Sequence, residues 1–174
     1  MKKILLAVLL LAPLSLSAQK FAHFDLQATV EAMPAYKTAN TELQALGEQY
    51  QKNLEDMQKE LQTKNDKYTK EAKDAEAAGK PLPENILKRY TEELQTMYEK
   101  LQQAAQDNEK AFTEERSKKM QPIIQKVMDA VDAVTKEGAY VYVIDTQSAQ
   151  QANIFINTSI SEDVTAKVKA KLGI

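Results

Sequence analysis

Few side chains in this sequence could do chemistry, and they are thinly spread. The single histidine, His23, stands two residues before Asp25, and another acid, Asp145, closes the Val- and Tyr-rich run 139–145. Two carboxylates at strand ends could share acid–base work, and a histidine beside an acid could hold a metal or relay a proton. Neither arrangement is complete. There is no second histidine, no cysteine, no nucleophile motif and no Gly-rich phosphate loop. His23 therefore reads as structural, and Asp25 and Asp145 as turn residues that end strands. Lys88 and Arg89 could meet a phosphate, but a basic pair at a helix start reads as solvated surface. The residues predict no enzyme, no metal and no cofactor. A formal charge of −2 over 174 residues also supplies no field that would recruit nucleic acid.

The elements around these residues are mostly helical. With four Gly and 28% charged residues, the chain is rich in helix formers and poor in tight turns. Residues 34–137 form the dominant stretch, read as one long antiparallel α-helical hairpin, a coiled-coil-like arm. Pro34 suits a first helical turn. Leu43, Tyr50 and Met57 recur every seven residues, with Leu46, Leu54, Leu61 and Tyr68 on the adjoining row. The first helix, 34–78, would be roughly 65–70 Å long. Acid-to-Lys pairs four apart support it: Glu48 with Lys52, Glu55 with Lys59, Glu60 with Lys64, Asp66 with Lys70. Gly79, Pro81 and Pro83 make the turn at 79–83. Leu87, Tyr90, Leu94, Met97, Leu101, Ala104 and Phe112 stripe the second helix, whose pairs are Glu114 with Lys118 and Glu115 with Lys119. Pro122 predicts a kink, and beyond it Ile123, Val127, Val131 and Val134 form a more apolar base.

On either side lie short elements. Residues 20–26 read as a strand, 139–145 as a clearer one, and 154–156 as a third. A last helix is capped by Ser161, with Glu162 and Asp163 in its first turn, and Gly173 closes it. Residues 19–33 and 138–174 thus make a β/α body of about fifty residues, marginal alone without disulfide or metal. Its open strand edges predict an obligate homo-oligomer. The oligomer-core candidates are Phe21, Phe24, Leu26, Val141, Val143, Ile154 and Ile156.

Before all of this come two lysines, an apolar run 4–16 and small residues at 15–18. Residues 1–18 read as a cleaved signal peptide, too short to span a bilayer. Losing Lys2 and Lys3 takes the formal charge from −2 to −4. An exported chain with a striped helical arm has its function in that arm. Most Tyr and Met residues there belong to the seam between helices. Leu54, Met57, Tyr68, Tyr90, Met97 and Tyr98 are the candidates to face outward, since Met and Tyr suit varied apolar partners.

The layout resembles the Skp/OmpH family of periplasmic chaperones of Gram-negative bacteria over nearly the whole mature chain. A strand ends in Phe24-Asp25-Leu26-Gln27, and Met33-Pro34-Ala35-Tyr36-Lys37 opens the arm. Met120-Gln121-Pro122-Ile123-Ile124 closes the arm before the second strand and a C-terminal helix. The resemblance implies a homotrimer whose strands form a core and whose hairpins surround a cavity. There, unfolded outer-membrane β-barrel proteins would be held without ATP, with room for transient membrane-surface contact. Well-known members are strongly basic, so at −4 apolar contacts would have to do more. The alternative from the residues alone is a structural coiled-coil spacer or envelope scaffold bound to one fixed partner.

Overall fold

A computed structural model describes residues 19–174; the predicted signal peptide lies outside the described residues. The elements in order are β1 (Lys20–Phe24), α1 (Leu26–Ala32), α2 (Pro34–Ala77), α3 (Glu84–Glu137), β2 (Tyr140–Asp145), α4 (Thr146–Gln151), β3 (Glu162–Asp163) and α5 (Thr165–Leu172). By contacts the chain divides into two units. Among the described residues, one combines 19–30 with 126–174, and the other is Glu31–Gln125.

The first unit is built on a three-stranded parallel sheet of order β2-β1-β3. Parallel neighbours require a long crossover, and between β1 and β2 that crossover contains the whole helical hairpin. Because β1 is central, Ala22, His23 and Phe24 are all buried. Neighbouring residues on both faces are therefore enclosed: a strand paired on both edges and covered on both faces has no polar side. Val127, Val131 and Val134 on α3 and Val164 and Val168 near α5 complete this core, with Val127, Val164 and Val168 fully enclosed.

Several expected boundaries shift. Leu26 begins a helix and does not extend the strand, because Asp25 caps α1: its Oδ1 accepts from the amide of Ala28 at 2.8 Å. Asp145 likewise caps α4, accepting from the amide of Ser148 at 2.8 Å. Ile154-Phe155-Ile156 is not a strand; the third strand is Glu162–Asp163. Those two acids pair with Ala22 and His23, so they do not start the last helix. Asp163 instead takes the amide and hydroxyl of Thr165 at 2.9 and 2.6 Å, and α5 begins there. Gly173, at φ 75°, closes α5 as expected.

The second unit is the hairpin. Met33 is extended, as the residue before a proline prefers, and Pro34 is the first residue of α2. At the far end, the Gly79 amide bonds the Glu76 carbonyl at 2.9 Å and the Lys80 amide bonds that of Ala75 at 3.0 Å. That is a Schellman motif, and Gly79 occupies its left-handed position at φ 70°. Helix α3 then runs unbroken through Pro122.

Candidate functional site

His23, Asp25 and Asp145, read from the sequence as structural and turn residues, each have a hydrogen-bonding role within the first unit. His23 Nδ1 lies 2.9 Å from Ser161 Oγ, inside the first unit. Asp25 and Asp145 are both caps. Burial pushes the Asp145 carboxyl up, but the Ser148 hydroxyl and amide and the Leu26 amide outweigh it and hold it below the usual range. Among the described residues no group of three or more His, Asp or Glu side chains converges as a metal site would.

What remains is the hairpin surface. From residue 44 to residue 122 no side chain is buried. The seam residues Leu46, Tyr50, Leu54, Met57, Leu61, Leu94, Met97 and Leu101 are only half-covered, since two helices alone cannot enclose a stripe. A shallow groove lies between Leu61 and Asn65 on α2 and Leu94 and Tyr98 on α3. Of the six outward candidates, Leu54, Met57 and Met97 are half-buried, and Tyr98, at 48% exposure, is the most open.

Tyr68 and Tyr90 are placed differently. Their rings stack across the hairpin, centroids 3.8 Å apart and planes within 3°. The Tyr68 hydroxyl on α2 donates to Glu93 on α3, and the Tyr90 hydroxyl on α3 donates to Glu71 on α2 at 2.5 Å. Lys64 joins Glu93 as well. The hydroxyl bonds hold both phenols above their ordinary value, and Lys64 and then Tyr68 hold the Glu93 carboxyl low. Sequence reasoning missed this reciprocal clamp, although a signal exists: Tyr68-Thr69-Lys70-Glu71 and Tyr90-Thr91-Glu92-Glu93 are the same Tyr-Thr-x-Glu pattern, one on each helix.

The expected acid-to-Lys ladder is largely replaced. Gln44, Gln51 and Gln62 donate to Glu48, Glu55 and Asp66, four residues on, at 3.1, 2.8 and 2.8 Å. Lys64 turns to the other helix, and Glu114 pairs with Lys110. Glu115–Lys119 forms at 3.2 Å, and Lys119 also crosses to Glu42 at 2.6 Å.

The oligomer candidates divide. Phe24 is enclosed within its own unit, and Leu26, Val143 and Ile156 are half-buried. Phe21, Val141 and Ile154 are exposed, and Phe21 stacks on Tyr142 at 6.2 Å. Tyr142 and Phe155 were not among the candidates, yet they are 60% and 96% exposed.

The family model "Outer membrane protein (OmpH-like)" matches residues 20–172. The chain belongs to the OmpH-like family. The chaperone protein Skp of Yersinia enterocolitica is 30% identical over 94% of this chain and 92% of its own length. Skp of Pectobacterium atrosepticum is 28% identical over 87% and 84%. The crystal structure of an OmpH-like protein from Caulobacter crescentus CB15 superposes with a TM-score of 0.64 at 16% identity, covering 88% of this chain and 83% of that one. It supports the fold: a mostly helical chain with long helices and a small sheet. Relatives named as chaperones support a chaperone function for this OmpH-like chain.

Proposed function

We propose that this chain is an ATP-independent holdase of the periplasm, which binds unfolded outer-membrane β-barrel proteins and keeps them from aggregating. The observation that carries the proposal is the hairpin between residues 44 and 122, apolar along its stripe and without one buried side chain. Apolar surface left half-covered over that length is costly in water unless it serves binding. Half-covered Leu, Met and Tyr offer many weak contacts and demand no client sequence. The working form is a homotrimer assembled through the first unit, where Phe21, Val141, Tyr142 and Phe155 are exposed and β2 has an open edge. Pro122 acts as the joint between arm and base, because it removes the amide that would bond the Lys118 carbonyl. Transient contact with a membrane surface belongs to the same reading.

The test is light scattering from a urea-denatured outer-membrane barrel protein diluted into buffer. Stoichiometric chain, counted as the oligomer from its solution mass, is expected to suppress the scattering with no nucleotide present. An intact oligomer that leaves the scattering unchanged would refute the holdase.

A further inference from the structure

One ridge of α3 differs from the rest of the hairpin. Phe112, Arg116, Met120 and Ile124 are spaced four apart, so they form a single row along the helix. They line one shallow groove, and the other side chains there, Thr113, Ser117, Gln121 and Gln125, are neutral. The guanidinium of Arg116 is thus the groove's only charge. Among the described residues no carboxylate pairs with it. Its neighbour Glu115 is engaged by Lys118 and Lys119, at 3.8 and 3.2 Å. Glu48, which shares a second depression with Arg116, accepts instead from Gln44 at 3.1 Å.

We infer that this ridge binds an extended segment of client with the pattern apolar-x-acid-x-apolar, its carboxylate on Arg116. The inference rests on the holdase reading and deepens it by naming where a client docks and which clients dock best. Three properties support it. Residues four apart on a helix repeat at about 6 Å. Residues two apart on one face of an extended chain repeat at about 6.7 Å. The two rows therefore run nearly in step over three side chains, placing apolar groups over Phe112 and Met120 when an acid sits over Arg116. A guanidinium binds a carboxylate through two parallel N–H donors, and apolar neighbours reduce the competition from water. The groove also selects by sign, since a lysine at the same register would meet the Arg116 cation, and the groove's other lining side chains are neutral. A net-acidic chain thereby keeps one local preference for acidic segments.

The experiment uses the full oligomer and three fluorescein-labelled nonapeptides that share a Phe-Ser-x-Ser-Leu core, with x Glu, Gln or Lys. Fluorescence anisotropy is expected to give the Glu peptide about tenfold tighter binding than the Lys peptide. Arg116→Gln should level the three, Arg116→Glu should invert the order, and Lys100→Gln should change nothing. Circular dichroism confirms that each variant keeps its helix. Equal affinities in the wild type, or an order unchanged in Arg116→Glu, would overturn the inference. Barrel-protein scattering is run on the same samples, which separates the two readings. Suppression without peptide preference refutes the ridge and leaves the holdase standing, and preference without suppression does the reverse.

Discussion

A Cβ placed on Gly138 would lie 2.0 Å from Cε2 of Tyr140. Gly138 directly follows α3, a position where a left-handed residue is common. The left-handed residue is in fact its neighbour, Ala139, at φ 52°. Gly138 is needed for space: the Tyr140 ring packs over it, anchored by its hydroxyl to Glu162 at 2.6 Å and by Lys167 at 3.0 Å.

Adjacent substitutions should therefore have opposite signs. Gly138→Ala displaces an anchored ring and is expected to destabilise by about 1–3 kcal/mol. Ala139→Gly relieves a left-handed alanine and is expected to stabilise by about 0.5–1 kcal/mol. Urea titration of both variants decides it. If the two shift the midpoint in the same direction, the division of roles is wrong.

Gly47 is the reverse case. It is an interior helical glycine, and a methyl group there would meet Phe112 Cε2 at 3.6 Å, an ordinary contact. Gly47→Ala should raise the melting temperature, gaining about 0.5–1 kcal/mol from helix propensity. A lower melting temperature would mean that the hairpin needs a backbone adjustment at this point that alanine forbids.

The hairpin was legible because heptad stripes, Pro34 and the Gly-Pro turn all point one way. Its bonding was less so. Glu48, Glu55 and Asp66 each have a Gln four residues before and a Lys four residues after, and spacing alone does not rank the two. In the first unit, Ile154-Phe155-Ile156 has strand composition but no partner strand, while the two residues of β3 carry no pattern at all. Strand pairing is a long-range property, and short segments conceal it. The proposed ridge was hidden for a related reason: Phe112 reads as part of the second helix's stripe, and only placing Glu48 and Glu115 with other partners leaves Arg116 distinct.

The reciprocal tyrosine clamp predicts local, coupled effects. Tyr68→Phe and Tyr90→Phe keep the stack and delete one hydroxyl each. Each is expected to raise hydrogen exchange in residues 60–100 and leave that of 126–137 unchanged. In a double-mutant cycle, Tyr68→Phe with Glu93→Gln should lose less than the two singles together, because both remove the same bond. Strict additivity would show that the hydroxyl and the carboxylate act independently.

Acid should weaken the hairpin and the sheet unit alike. Glu93 is held below its ordinary value of 4.5 by Lys64 and then Tyr68, and Glu162 by Lys167 and then Tyr140. Asp163 is held low by Thr165. A carboxyl depressed in the folded state contributes stability that is present above its unfolded pKa and disappears as pH falls through the folded one. On the alkaline side, Tyr68 and Tyr90 are raised above 10.0, so what their hydroxyl bonds contribute is present below that value and lost as pH climbs through the higher folded one. The expected profile of urea midpoints is flat from about pH 5 to about pH 9 and falls on either side. Glu93→Gln should flatten the acid limb for the hairpin amides and leave it intact for β1 and β2. An acid limb unchanged at every hairpin amide in Glu93→Gln would remove Glu93 as its source.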